Sequence, residues 1–111
     1  MPYSDEDYKY VVEEVLSRSF TLSGPEETML VSGILNGSVV VKDHAHLCIR
    51  GIFNGDLTVI DGGTVEISGI FNGGQLLANS PVTISGIVTC SNPLSRNVTL
   101  SPGCIVNGIK H

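Results

Sequence analysis

The side chains best suited to chemistry in this chain are Asp43, His44 and His46, three cysteines and a group of carboxylates near one end. On an extended strand, His44 and His46 turn their imidazoles to the same side, with Asp43 beside them. Imidazole titrates near neutral pH and binds divalent metals, so the trio suggests a metal site or an acid–base pair. A zinc site needs at least three protein ligands, and no third ligand follows at a matching spacing. The equivalent positions of the following repeats are Asp61, Gly62 and Thr64, then Asn79 and Ser80, which marks the segment as a polar turn. Cys48, Cys90 and Cys104 are odd in number and lack Cys-x-x-Cys spacing, so they predict neither a disulfide framework nor a zinc knuckle. They are expected as reduced thiols filling small spaces in or near the core. No Ser-His-Asp arrangement, phosphate-cradling glycine loop or paired-carboxylate motif is visible. The expectation is a protein that is not an enzyme and holds neither metal nor cofactor.

The carboxylates are unevenly placed. The chain carries a net charge of −5. Residues 1–27 hold Asp5, Glu6, Asp7, Glu13, Glu14, Glu26 and Glu27 against Lys9 and Arg18, while acids and bases balance in residues 28–111. Phosphate binding needs a concentrated basic surface, so nucleic acid is excluded as a partner. A localised acidic surface instead suits a basic protein, because complementary charge speeds and orients association. Those seven acids are the candidate partner-binding surface.

A chain of 111 residues, 41% hydrophobic and 15% charged, fits one domain with one core. Its apolar runs are far shorter than the roughly 20 residues needed to span a bilayer as a helix, so no membrane association is expected. The acidic Met-Pro-Tyr-Ser-Asp-Glu-Asp start lacks the basic and apolar regions of a secretion signal, and a cytoplasmic location is the expectation.

The elements that would position these residues are repeats. Ile34-Leu35-Asn36-Gly37, Ile52-Phe53-Asn54-Gly55, Ile70-Phe71-Asn72-Gly73 and Ile105-Val106-Asn107-Gly108 recur, with a degenerate copy at Ile87-Val88-Thr89-Cys90. Apolar residues fall every six positions from 29 to 77 and, after a one-residue slip, from 82 to 106. Three short strands per repeat, each giving one inward aliphatic, predict an all-β fold. It is a short triangular parallel β-solenoid of about five coils of 17–18 residues, in which like side chains stack about 4.8 Å apart. The Asn-Gly pairs fall at a corner, where both residue types tolerate positive φ. Asn92-Pro93 and Ser101-Pro102-Gly103 predict an irregular stretch over 92–103.

Ahead of the repeats, Ser4 stands as a cap and acids fill the first turn, with Tyr8, Val11, Val12, Val15 and Leu16 at helical spacing. This predicts an amphipathic helix over 5–18 within a capping segment of residues 1–27, followed by the solenoid over 28–111.

Val65-Glu66-Ile67-Ser68-Gly69-Ile70-Phe71-Asn72-Gly73, Val82-Thr83-Ile84-Ser85-Gly86-Ile87-Val88 and the closing Pro102-Gly103-Cys104-Ile105-Val106-Asn107-Gly108 resemble the repeats of bactofilins, bacterial polymer-forming cytoskeletal proteins. The resemblance implies a right-handed triangular β-helix without a ligand or catalytic site, able to join end to end into filaments. The six-residue period is also that of left-handed hexapeptide solenoids. These include acyltransferases that use a catalytic histidine, so the handedness stays open on the sequence. A helical cap at one end would stop a polymer, which favours a monomer or homodimer over a filament.

Because neighbours on a strand face opposite sides, inward Leu35, Phe53, Phe71, Val88 and Val106 put Ile34, Ile52, Ile70, Ile87 and Ile105 in one exterior column. Such an apolar strip marks an interface, unless the N-terminal helix lies along it. The expected function is non-catalytic protein binding, of the inhibitor or toxin-immunity type, and the alternative is a bactofilin-like scaffold.

Overall fold

The computed structural model describes residues 8–91 and 96–110. Three short strands make each coil. The first coil is β1 (Tyr10–Val12), β2 (Val15–Ser17) and β3 (Phe20–Ser23), and the second is β4 (Thr28–Val31), β5 (Ile34–Asn36) and β6 (Val39–Lys42). The third is β7 (His46–Ile49), β8 (Ile52–Asn54) and β9 (Leu57–Val59), and the fourth is β10 (Thr64–Ile67), β11 (Ile70–Asn72) and β12 (Leu76–Ala78). The fifth carries β13 (Val82–Ile84) and β14 (Ile87–Thr89), a further layer begins with β15 (Val98–Leu100) and β16 (Ile105–Val106), and β17 (Ile109–Lys110) turns back. Strands stack into three sheets, ordered β1-β4-β7-β10-β13-β15, β2-β5-β8-β11-β14-β16-β17 and β3-β6-β9-β12. Every coil-to-coil pair is parallel. The protein is a parallel β-solenoid of about five coils.

Alternation along each strand fills the interior. Leu35, Phe53, Phe71, Val88 and Val106 are paired in register down one side, and the first four are fully buried. The Phe53 and Phe71 rings stack with centroids 5.2 Å apart. Backbones touch at one corner: a Cβ on Gly51, Gly69 or Gly86 would lie less than 3.0 Å from the carbonyl oxygen of Gly33, Gly51 or Gly69 respectively. These Gly-Ile corners therefore keep glycine because the coils meet there with no room for a side chain.

The predicted N-terminal helix is absent. Its described residues form β1 and β2, joined by a bend at Glu13-Glu14 and paired with β4 and β5. Tyr8, Val11, Val12, Val15 and Leu16 fit two short strands as well as one helical face. Short isolated helices are marginal, and tyrosine and valine favour strands. Pairing with the second coil gives the backbone its hydrogen bonds, so the ladder starts at Tyr10 and residues 10–23 are a coil, ahead of the boundary expected at 28. Asp5, Glu6 and Asp7 lie outside the described residues.

Leu77, expected inside by the six-residue period, is 45% exposed, and Leu76 and Ala78 point inward opposite Leu57 and Val59. The corner Gly73-Gly74-Gln75 holds one residue more than Gly55-Asp56, which shifts the register before β12, and the turn into β13 is two residues shorter than its counterpart into β10. The corner asparagines also differ from expectation. Gly37 and Gly55 take positive φ (150° and 145°), while Asn36, Asn54 and Asn72 do not. At the far end Asn107 (φ 50°) and Gly108 (φ 82°) form a tight turn into β17, which pairs antiparallel with β16. Two successive positive φ values are those of a type I′ hairpin turn. In the irregular stretch, residues 92–95 lie outside the described residues, β15 rejoins the ladder opposite β13, and a turn from Ser101 to Cys104 precedes β16.

Candidate functional site

The second sheet builds the exterior strip. Ile34, Ile52, Ile70, Ile87 and Ile105 are direct register partners, and Val15 of β2 continues the column beyond Ile34. Six β-branched aliphatics thus line up over about 24 Å, five steps of strand spacing. Each isoleucine is partly exposed, Ile87 is 41% exposed and Val15 65%. No described element lies across them, and the helix considered as a cover for the strip is replaced by β1 and β2. Val15 was missed in the sequence because its repeat is offset by 19 residues. Aligning Val15-Leu16-Ser17 with Ile34-Leu35-Asn36 at that offset is the signal that would have found it.

Two residues along each strand, the same outer face carries a polar column. Asn54 Nδ2 donates to Asn36 Oδ1 at 2.8 Å, and Asn36 Nδ2 donates to Ser17 Oγ at 3.5 Å. These hydrogen-bonded side chains make this half of the face polar and leave the aliphatic column as its main apolar feature.

The described acids occupy two corners of the first coils. Glu13 and Glu14 form the bend between β1 and β2, and both are exposed. Glu26 and Glu27 follow Gly24-Pro25 between β3 and β4. Glu27 Oε2 holds Lys9 Nζ at 2.7 Å, and this contact raises the Lys9 pKa. Glu13 and Glu14 sit beside the strip and line a shallow depression of about 300 Å³ with Val11, Val12, Val15 and Leu16. Nothing in the spacing of the acids signals that they divide this way.

Asp43, His44 and His46 do not converge. Asp43 accepts a hydrogen bond from Ser23 Oγ at 2.6 Å, and exposed His44 packs against Gly62. His46 is buried, its Nδ1 lies 2.7 Å from Thr64 Oγ1, and burial pushes its pKa below the usual histidine value. Among the described residues no three His, Cys, Asp or Glu side chains are grouped to hold a metal ion. None of the three cysteines forms a disulfide, and all three are buried.

Cys48 is not in the main core. It faces outward from β7 and forms a small cluster with Leu30 and Tyr8. The Tyr8 ring also stacks on His46, with centroids 6.2 Å apart. Burial raises the pKa of both the Tyr8 hydroxyl and the Cys48 thiol. Tyr8, just ahead of β1, thus clasps the outside of the first sheet against Leu30 and Cys48, the only two apolar side chains that the described strands β4 and β7 turn outward.

Comparison with protein-family models, with curated proteins and with solved structures finds no match for this chain. The likeness to bactofilins accordingly rests on the repeat pattern, and the structure adds the parallel β-solenoid that such repeats build.

Proposed function

We propose that this chain is a non-catalytic protein-binding solenoid, a small acidic cytoplasmic protein of the inhibitor or toxin-immunity type that holds a basic protein partner. The observation that carries the reading is the partly exposed aliphatic strip from Val15 to Ile105 on an in-register sheet, crossed by no described element. Contiguous exposed apolar surface of this kind marks an interaction site. Glu13 and Glu14 beside one end of the strip supply charge complementary to a basic partner, which would steer and orient its approach.

A bactofilin-like scaffold is the second reading, favoured by the outer edges of β1, β2 and β3, which pair with no described strand. Against head-to-tail stacking stands the antiparallel β17 at the other end, and against head-to-head stacking the like charge of facing acidic corners. Light scattering on the purified protein separates the two. Monomer or dimer masses support the partner binder, and filaments support the scaffold. Captured from the cells that express the protein, a basic partner retained by the wild type should be lost by Ile52→Lys. Retention by a folded Ile52→Lys variant would remove the strip from the interface.

A further inference from the structure

We infer that the outer edge of β2 is a strand-acceptor site, where an extended basic segment of the partner adds to the second sheet beside Glu13 and Glu14. The inference rests on the partner-binding reading and names the mode of contact.

The backbone supplies the first argument. Ile34 is the register partner of Val15, and the Ile34 N–H donates to the Glu14 carbonyl at 3.1 Å. In a parallel ladder that bond makes Leu16 the residue facing the second coil, so Val15 and Ser17 turn their own N–H and C=O groups outward. Among the described residues no strand pairs on that side. An unpaired edge of this kind is a template for an added strand, and main-chain hydrogen bonds then give affinity while alternate side chains give specificity.

Side chains select this edge and its occupant. Val15 is 65% exposed and Val11 41%, and both border the depression of about 300 Å³ that also contains Glu13 and Glu14. An added strand would meet aliphatic surface continuous with the strip. The edge of β3 presents Thr21 and Ser23 instead. Neither Glu13 nor Glu14 has an ion-pair partner among the described residues, whereas Lys9 is paired with Glu27 and the Arg18 guanidinium lies over the Phe20 ring at 4.9 Å. A segment alternating basic and aliphatic residues matches both features.

The two ends of the solenoid discriminate. Beyond Glu66 the chain has no acidic side chain and carries Arg96 and Lys110, so its C-terminal end repels a basic segment. There β17 already occupies the second sheet in antiparallel pairing. A second copy meeting the first end to end at β2 would set Glu13 and Glu14 against their own kind, which disfavours self-pairing at the acceptor edge.

The test uses the full chain and an eight-residue peptide alternating lysine and valine, with an alternating glutamate–valine peptide as control. Binding should slow amide hydrogen exchange at Val15 and Ser17 by about tenfold or more, spare Ile109 and Lys110, and weaken on raising salt, as charge steering is screened. Ser17→Pro removes one outward N–H at an edge position where proline is tolerated, and should weaken binding about tenfold with the fold kept. Glu13→Gln with Glu14→Gln, both exposed, should weaken it without altering the melting temperature. Ile70→Lys lies away from β2 and should leave peptide binding unchanged while disrupting the strip. Equal binding of the acidic peptide, unaltered exchange at Val15 and Ser17, or full binding by both edge variants would overturn the proposal. Loss with Ile70→Lys but not with Ser17→Pro would also overturn it by moving the site to the strip. Peptide addition at β2 alongside partner capture indifferent to Ile52→Lys would instead refute the strip reading and leave the edge standing.

Discussion

Replacing Gly69 with alanine adds one methyl group at the corner where the third and fourth coils touch. The backbone there is not in the left-handed region, so the cost is one of space. The new Cβ would fall less than 3.0 Å from the Gly51 carbonyl oxygen, and that oxygen is the acceptor for the Ile70 N–H at 2.9 Å. Relief requires the two coils to separate locally, which strains the packing by about 1–3 kcal/mol. It also weakens a ladder hydrogen bond worth about 1 kcal/mol. The expected loss is about 2–4 kcal/mol, a large share of the roughly 5–15 kcal/mol that holds a domain together. Urea unfolding followed by far-ultraviolet circular dichroism reads this as a midpoint lowered by about 1–2 M. Ser68→Ala, one residue earlier at the same corner and exposed, is the control. It loses only the Ser68 Oγ bond to the Ile49 carbonyl at 3.3 Å, and should change stability by under about 1 kcal/mol. If Gly69→Ala unfolds within about 0.5 kcal/mol of the wild type, the backbone-to-backbone contact is not what keeps glycine in the column.

Leu77→Lys should leave stability within about 0.5 kcal/mol, since Leu77 faces solvent, while Leu76→Lys should unfold the protein at room temperature; the reverse order in urea denaturation would restore the six-residue register through β12. Tyr8→Ala should uncover Cys48 and raise its labelling by a thiol-reactive disulfide reagent by on the order of tenfold, with Cys90 and Cys104 as slow internal controls; equal rates would show that Tyr8 is no clasp. His46 has a pKa lowered in the folded state by burial, so the unfolded chain binds the extra proton first as pH falls. Its contribution to stability is present above the unfolded value near 6.5 and declines below it. The urea midpoint should drop between pH 7.5 and pH 5.5 in the wild type and stay flatter in His46→Gln, and equal slopes would assign the pH dependence to other groups.

The coils from Met29 onward were legible because burial repeats with the stack. Ile70, Phe71 and Asn72 take the same three roles as Ile52, Phe53 and Asn54, so a residue's type reports its column. The first coil was hidden by two local changes. Glu13-Glu14 replaces the Ser-Gly corner, and the offset to the next coil is one residue longer, leaving Tyr8 to Leu16 with a spacing that serves helix and strand alike. Leu77 was misplaced for a related reason: a period counted through a glycine corner cannot register an extra residue that the corner absorbs without bending either face. The strip was readable as a column of five, and its sixth member followed from the pairing of β2 with β5. The Tyr8 clasp left no trace in the repeats, because it joins a residue outside them to Leu30 and Cys48, two positions where the polar face happens to be apolar.

The uneven corners bear on how such a protein can change over generations. Between the third and fourth coils one corner gains a residue at Gly74, and between the fourth and fifth another is shortened before Pro81. The strands on either side still meet in register, as Phe71 does Val88 and Val65 does Val82. Length is therefore negotiable at the vertices and fixed along the faces. A duplicated coil inserted at a vertex would find its columns already prepared, lengthening the aliphatic strip by one isoleucine and about 4.8 Å. The footprint offered to a partner can thus grow or shrink in whole steps by copying a single short stretch of gene, with no need to invent a new surface.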